Sequence, residues 1–414
     1  MQENQFYMGI NMQQSALAEI AREQKIGAFS EVEKIIERTL MSDLPNISTH
    51  ALILSGIRRC GKSTLLRQFV RRNFEDVFYL NFEDVKLYGF DIKDFVLLDK
   101  AIDETGLKVL YFDEIQIIDG WELYIRQKLD QKFQVIITGS NASLLSVELG
   151  TKLTGRHITK ELFPFSYPEY LDFQKAEANI ESLQAYLTEG GFPDYLKQKL
   201  PEILDFLIED ILNRDIIVRY SLKDGGAIKK LCAYLFANNG TLVVPSKLTS
   251  AIGVKSSTTI LNYFSYFENS YLIAMVPKFD WSAKAQMLSP KKMYAIDPGL
   301  VQVGSTSLSR NIGHLLESVI FWHLRRKTKD IYYFSENNRE CDFIVRSKDK
   351  TTQVVQVCWE LTPENVEREV NGLVEAMQYF KTENGIIVTA NSTDTIRTEI
   401  GLISAMPAHQ YLMK

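Results

Sequence analysis

Through residues 46–165, short unbroken apolar runs alternate with stretches whose apolar positions recur every three or four residues. HALILSG, DVFYLNFED, LKVLYFDEIQ and FQVIITGSN read as four buried strands. Between them, STLLRQFVRRNF, DFVLLDKAIDET and WELYIRQKLDQ carry the helical period. Strand and helix in alternation predict a parallel α/β sheet. Ahead of this region, residues 1–45 are expected to be helical, on the spacing in FSEVEKIIERTLM. After Pro164 the texture changes. Residues 167–222 predict helices broken by GGFP at Gly190–Pro193. Residues 226–300 predict helices followed by short strands. Residues 305–414 predict a helix, three short strands, a second helix and more strands.

Composition narrows this only a little. The chain has 414 residues, 45% hydrophobic and 24% charged, which suits about two to four globular domains. A net charge of −5 advertises no global field for nucleic acid, although it leaves a local basic face open. Cys60, Cys232, Cys341 and Cys358 form no CxxC and sit beside no paired histidines, which argues against zinc and against a disulfide framework. His314 and His323 are nine residues apart, a spacing that suits no helix-borne metal pair. The first residues lack a basic stretch followed by an apolar one, and no apolar run nears the ~18 residues of a membrane helix. A cytoplasmic protein with no membrane contact is expected.

The specific chemistry begins at GIRRCGKST, Gly56 to Thr64. It fits GxxxxGK[ST] between an expected strand and an expected helix, the context this loop requires. Glycines let backbone N–H groups close around phosphate oxygens, and the helix that follows turns its positive end to the anion. Gly56, Arg59, Cys60, Gly61, Lys62, Ser63 and Thr64 are therefore the candidate ATP-binding residues. Lys62 would reach the β- and γ-phosphates, and the Ser63 hydroxyl would hold Mg2+. Arg58 and Arg59 read equally well as nucleotide contacts or as loop charges.

At the end of an apolar strand stand two acids, Asp113 and Glu114. Asp113 suits a magnesium ligand alongside Ser63, and Glu114 suits the general base that takes a proton from the attacking water. One strand later Ser140 or Asn141, in ITGSN, would sit beside the nucleotide. Asn141 is the candidate for holding the water. Arg156, in LGTKLTGR, is a candidate for a transition-state arginine in cis or in trans, with a structural ion pair as the alternative.

GIRRCGKSTLL, YFDEIQ, ITGSNASLLSVELGTKLTGR, LFPFSYPEYL and GGFPDYL together resemble the AAA-type P-loop ATPases that carry a C-terminal DUF4143 domain, and the likeness runs over nearly the whole chain. The resemblance implies a P-loop NTPase core of the additional-strand, catalytic-glutamate type, a helical lid, a winged-helix domain and a C-terminal restriction-endonuclease-like α/β domain. On these lines residues 1–45 are an N-terminal helical region, 46–165 the ATPase core, 166–225 the lid with GGFP, 226–304 the winged helix and 305–414 the DUF4143 domain. The resemblance also implies that Pro193 packs near the adenine or ribose.

Residues 226–304 carry helix-turn-helix texture of their own, with two helices meeting near Gly253. Lys255, Ser256, Ser257, Thr258 and Asn262 would lead the second helix into DNA. The scarcity of basic residues there favours a protein-binding or regulatory module instead. In the last region the nuclease likeness matches Glu317 and Asp342, but Gln356, Val357 and Cys358 stand where Glu-x-Lys is expected, so no nuclease activity is expected. Glu340 shares a face with Asp342 by the period of a strand. The expected function is a magnesium-dependent ATPase acting as a molecular switch or regulatory ATPase. DNA or RNA, a protein partner and a second copy of the chain are candidate partners. The alternatives are an ATP-dependent DNA-processing nuclease and an ATP-binding scaffold with little turnover.

Overall fold

A computed structural model describes residues 14–30, 36–145, 147–305, 311–346 and 352–414. The chain divides into two compact units. The first takes the residues up to Ile57 and Gly61–Leu162. The second takes Arg58–Cys60 and Phe163–Lys414.

The first unit is a five-stranded, wholly parallel sheet. Its strands are β1 (Ala51–Gly56), β2 (Phe78–Asn81), β3 (Val109–Asp113), β4 (Gln134–Gly139) and β5 (His157–Leu162), in the order β2-β3-β4-β1-β5. All six residues of β1 are buried, the pattern of a strand covered on both faces. Helices Lys62–Asn73, Phe95–Thr105 and Trp121–Asp130 form the crossovers, where the sequence period predicted them. A core built from Leu17, Phe78, Leu80, Phe112, Ile125 and Ile137, among others, is closed on one side by helix Gln14–Ser30.

Two expectations are corrected here. The helix expected through FSEVEKIIERTLM is not continuous: Thr39–Asp43 is a short 3-10 turn, and residues 31–35, like 1–13, lie outside those described. The sheet also has a fifth strand that the apolar runs did not reveal. β5 reads HITKEL and is half-buried over most of its length, as an edge strand is.

In the second unit come helices Tyr167–Gln174, Ile180–Glu189, Pro193–Gln198 and Glu202–Asp210. The last continues into a π-helical stretch, Ile211–Val218. Helix Gly225–Ala237 is followed by β6 (Leu242–Val243), helices Pro245–Ile252 and Ser257–Asn269, β7 (Ile273–Val276) and β8 (Lys291–Ala295). The sheet is antiparallel in the order β6-β8-β7. After helices Pro298–Gly304 and Ile312–Arg325 a six-stranded mixed sheet is built from β9 (Ile331–Glu336), β10 (Arg339–Arg346), β11 (Thr352–Val357), β12 (Asn384–Thr389), β13 (Asp394–Arg397) and β14 (Leu402–Pro407). Its order is β13-β14-β12-β11-β10-β9, with helix Val366–Phe380 crossing from β11 to β12.

The motif GGFP is locked into this second unit. Gly191 N–H donates to Asp297 Oδ2 at 2.7 Å, and its carbonyl accepts from Phe165 N–H at 2.8 Å. A Cβ on Gly191 would stand 2.4 Å from the Phe165 carbonyl oxygen, so glycine is required for the close approach. Phe165 and Gly191 are thus joined main chain to main chain, and the Asp297 carboxylate anchors the Gly191 N–H. Among the described residues no helix is long and apolar enough to cross a membrane.

Candidate functional site

The registers of the first unit bring strand ends together. Asp113 pairs with Thr138 across β3 and β4, and Ser55 pairs with Gly139 across β1 and β4. The carboxyl ends of β1, β3 and β4 therefore lie side by side, the place where parallel α/β sheets bind ligands. Ser55 Oγ fixes the next turn by donating to the carbonyl of Asn141 at 2.8 Å.

At the end of β1 the loop turns into helix Lys62–Asn73. Gly61 takes φ +98°, a left-handed conformation that favours glycine. Lys62 is buried, at 6% exposure, and its Nζ donates to the carbonyls of Gly56 and Ile57, each at 3.0 Å. Among the described residues no carboxylate joins these partners. A buried ammonium resting on carbonyl dipoles, beside the free N–H groups of a helix start, is suited to an anion. Ser63 and Thr64 occupy the first turn. Arg67 holds that turn through the Ser63 carbonyl at 3.3 Å and the Thr64 hydroxyl at 3.2 Å. Arg38, which sequence reasoning passed over, is buried with Nη1 3.6 Å from where a Gly61 Cβ would stand.

The acid pair is held as firmly. Asp113 is buried; it accepts from Thr138 Oγ1 on one oxygen and from Tyr79 OH on the other, at 3.3 Å. Glu114 sits at φ +56°, left-handed backbone that costs a non-glycine residue about 1–2 kcal/mol and so needs enforcing. Its N–H donates to the Thr138 carbonyl at 3.2 Å, which fixes the turn. Its Oε2 accepts from the Gln116 amide, from Ser140 N–H at 3.3 Å and from Ser140 Oγ at 3.2 Å. Tyr79, Gln116 and Thr138 were not found from the sequence, although Gln116 lies inside YFDEIQ. The register, invisible in a single sequence, brings in Tyr79 and Thr138.

Arg156 is placed elsewhere. Its carbonyl accepts from Ala51 N–H, at the amino end of β1, and its guanidinium pairs with Asp130 at 2.8 Å. The phosphate loop leaves the other end of β1, about 17–20 Å away at ~3.3 Å per residue. Arg156 thus stands at the end of β1 opposite the phosphate loop, in an ion pair of the kind weighed as its alternative. Arg58, Arg59 and Cys60 group with the second unit. There Arg58 makes a two-bond pair with buried Asp215, Nε–Oδ2 3.1 Å and Nη2–Oδ1 3.2 Å, and Arg59 pairs with Asp210 at 2.9 Å. Neither is a loose loop charge. Cys60 is fully buried, and none of the four cysteines is in a disulfide. Pro193 opens the helix Pro193–Gln198, where a fixed φ is tolerated.

Among the described residues no group of three or more His, Cys, Asp or Glu is placed to hold a metal. The C-terminal acids Glu317, Glu340 and Asp342 do gather, but around the ammonium of Lys292. His323 is buried and pushed down to about 3 by that burial, with Lys327 and Arg326 adding to it.

A phosphate-type loop on a parallel sheet, facing paired acids, defines an AAA-type, P-loop ATPase-like protein. The comparisons agree: residues 48–171 match the AAA domain family. Over 376 residues the chain is 34% identical to an uncharacterized protein of Methanocaldococcus jannaschii, spanning 85% of this chain and 83% of that one. The chain belongs to the family of that archaeal protein. An uncharacterized protein of Haemophilus influenzae is 29% identical over 385 residues, 87% of this chain and 94% of its own. Residues 180–307 match a domain of unknown function, DUF8612, so the expected DUF4143 assignment is corrected. The crystal structure of Saccharomyces cerevisiae RIF2 aligns at a TM-score of 0.25 with 11% identity, over 40% of this chain and 69% of that one, too slight a likeness to bear on the fold.

Proposed function

We propose that the chain binds ATP with Mg2+ and hydrolyses it slowly, as a molecular switch or regulatory ATPase. The observation that carries this reading is a pair of features that follow β1 and β3, the strands on either side of β4. Lys62 is a buried cation without a carboxylate partner among the described residues, and Glu114 is a carboxylate forced into a left-handed turn. A protein that only bound nucleotide would have no need of the second.

Lys62 and the N–H groups of Gly61–Thr64 hold the phosphates. The Ser63 hydroxyl and Asp113 are the residues fit to hold magnesium, the hard cation that oxygen ligands suit. Magnesium, when bound, supplies charge neutralisation at the phosphates. Asn141 is assigned to steady the water, and its carbonyl, tied to Ser55 at the end of β1, supports that reading. Glu114 takes the proton from that water. Gln116 and Ser140 bond its Oε2 and lower its basicity, which makes these contacts the control point of the reading.

The second unit reads as lid (166–225), winged helix (226–304) and nuclease-like domain (305–414). Support for the winged helix is the order helix–β6–helix–helix–β7–helix–β8, in which the short helix Ala283–Leu288 separates the last two strands, with its small antiparallel sheet. Lys255, Ser256, Thr258 and Asn262 are exposed at the start of Ser257–Asn269, yet only one of these is charged. A protein partner therefore suits this face better than DNA or RNA.

Turnover of ATP by the full chain, alone and with single-stranded DNA, double-stranded DNA or RNA, tests the reading. Lys62→Ala should abolish nucleotide binding. Intact binding in that variant would refute the assignment of the loop.

A further inference from the structure

The strands β7 and β8 flank a segment that reaches the six-stranded sheet. Phe279 N–H donates to the Tyr333 carbonyl at 2.7 Å, and Tyr333 N–H donates to the Pro277 carbonyl at 3.1 Å. The Phe279 ring packs against Tyr332 and Phe380. This contact covers the otherwise unpaired edge of β9. The chain then returns along β8, and that strand carries Lys292 inward.

Lys292 is 4% exposed. Its Nζ lies 2.9 Å from Glu317 Oε1, 2.6 Å from Glu340 Oε1 and 2.8 Å from Asp342 Oδ1. Of its N–H donors, Glu317 and Asp342 each accept one, and Glu340 adds an ion pair. Glu317 and Asp342 are buried as well. A second ring of bonds aims their oxygens. Tyr294 OH donates to Glu317 Oε1 at 2.6 Å, and Val357 N–H donates to Asp342 Oδ2 at 2.9 Å. Gln356 accepts from Asp342 N–H at 3.1 Å and donates to Glu369 at 2.6 Å.

Three carboxylate oxygens thus converge on one point at 2.6–2.9 Å. Calcium–oxygen distances are about 2.3–2.6 Å, and magnesium–oxygen distances about 2.0–2.1 Å. The point is one a large divalent ion could take with slight contraction, were it vacant. We infer that Lys292 is a built-in cation that occupies this point, closes the acid cluster to divalent metal ions and locks β8 to the six-stranded sheet.

The energetics favour the tethered cation. To admit a metal ion, Lys292 would have to leave all three partners and stay buried, and an uncompensated buried charge is strongly destabilising. The acids in turn keep the lysine charged. Burial alone would lower its pKa, but Asp342, Glu317 and Glu340 outweigh that and raise it. Burial, ahead of the neighbouring Asp342, pushes the Glu317 carboxyl up to about 8, and the Lys292 ammonium and Tyr294 hydroxyl work against that rise.

The test is calcium and manganese titration of the nucleotide-free full chain by calorimetry and by thermal unfolding. The wild type should show no binding that depends on Asp342. Lys292→Ala should bind calcium or manganese about tenfold or more tighter than wild type. That gain should vanish in Lys292→Ala/Asp342→Asn. Binding by the wild type that is lost in Asp342→Asn overturns the inference, as does a folded Lys292→Ala with no gain. If Lys292→Ala is recovered unfolded, calcium or manganese should restore the folded signal, and failure to do so equally overturns it.

Discussion

Ser140 binds Glu114 twice, through its main-chain N–H at 3.3 Å and its hydroxyl at 3.2 Å, both to Oε2. The Gln116 amide reaches the same oxygen. A base whose oxygen is occupied in this way is restrained from taking a proton. Ser140→Ala removes the hydroxyl bond and leaves the N–H. A neutral hydrogen bond of this kind is worth about 1 kcal/mol net, so basal ATP turnover should rise up to about fivefold. Gln116→Ala should act in the same direction. Glu114→Gln should leave ATP binding intact and lower turnover by about 10²-fold or more. Steady-state turnover and nucleotide affinity on the three variants decide it, and a slower Ser140→Ala enzyme would mean that the serine orients the base.

Arg156→Ala should change little. The pair with Asp130 is partly exposed, at 31% and 63%, and such pairs contribute about 0–1 kcal/mol. Turnover should stay near the wild-type value at every protein concentration. A loss of about 10³-fold that appears only where chains associate would instead show the arginine acting on a neighbouring copy.

How far the sequence carried these conclusions depended on the range of the interaction. β1 to β4 and their helices were legible because burial on both faces leaves unbroken apolar runs. β5 was not, since Lys160 and Glu161 break its apolar pattern. The phosphate loop is a local motif and was found whole. Thr138 and Tyr79 act on Asp113 only through strand register, from 25 and 34 residues away. Arg156 was left between a catalytic role and an ion pair because a motif does not say which end of a sheet it occupies. Lys292 lies 25 and 50 residues from Glu317 and Asp342, and no local spacing could disclose that meeting.

Asp297 predicts a particular pH dependence. Burial pushes its carboxyl up to about 7, against the bonds from Gly191, Leu300 and Gly299 N–H groups that favour the charged form. In the unfolded chain it titrates near about 3.9. Below that pH both states hold the proton. Between about 4 and 7 only the folded state does, so this contribution to stability falls as pH rises and levels off above about 7. Asp297→Asn loses an acceptor and should be less stable than wild type at low pH, but the gap should narrow between pH 5 and 8. Denaturant midpoints for both proteins at the two values give the gap directly, with the other titrating groups cancelling. A constant gap would contradict the assignment.

Gly191→Ala tests the interlock of GGFP with its neighbours. The added Cβ would stand 2.4 Å from the Phe165 carbonyl oxygen and 2.7 Å from its nitrogen, both main-chain atoms with nowhere to rotate. Relief requires moving Phe165 away, which stretches its N–H bond to the Gly191 carbonyl and the bond from Tyr186 OH to the Phe165 carbonyl at 2.7 Å. Overpacking of this sort costs about 1–3 kcal/mol, and strained buried hydrogen bonds add to it. The variant should unfold at lower denaturant, by an amount clear of the few tenths expected at an ordinary exposed helix position. ATP affinity measured well below the unfolding midpoint separates two roles for the motif. If GGFP serves packing alone, affinity is unchanged in the folded Gly191→Ala protein. Weakened affinity with unaltered stability would instead assign GGFP to the nucleotide, with Pro193 beside the base or sugar.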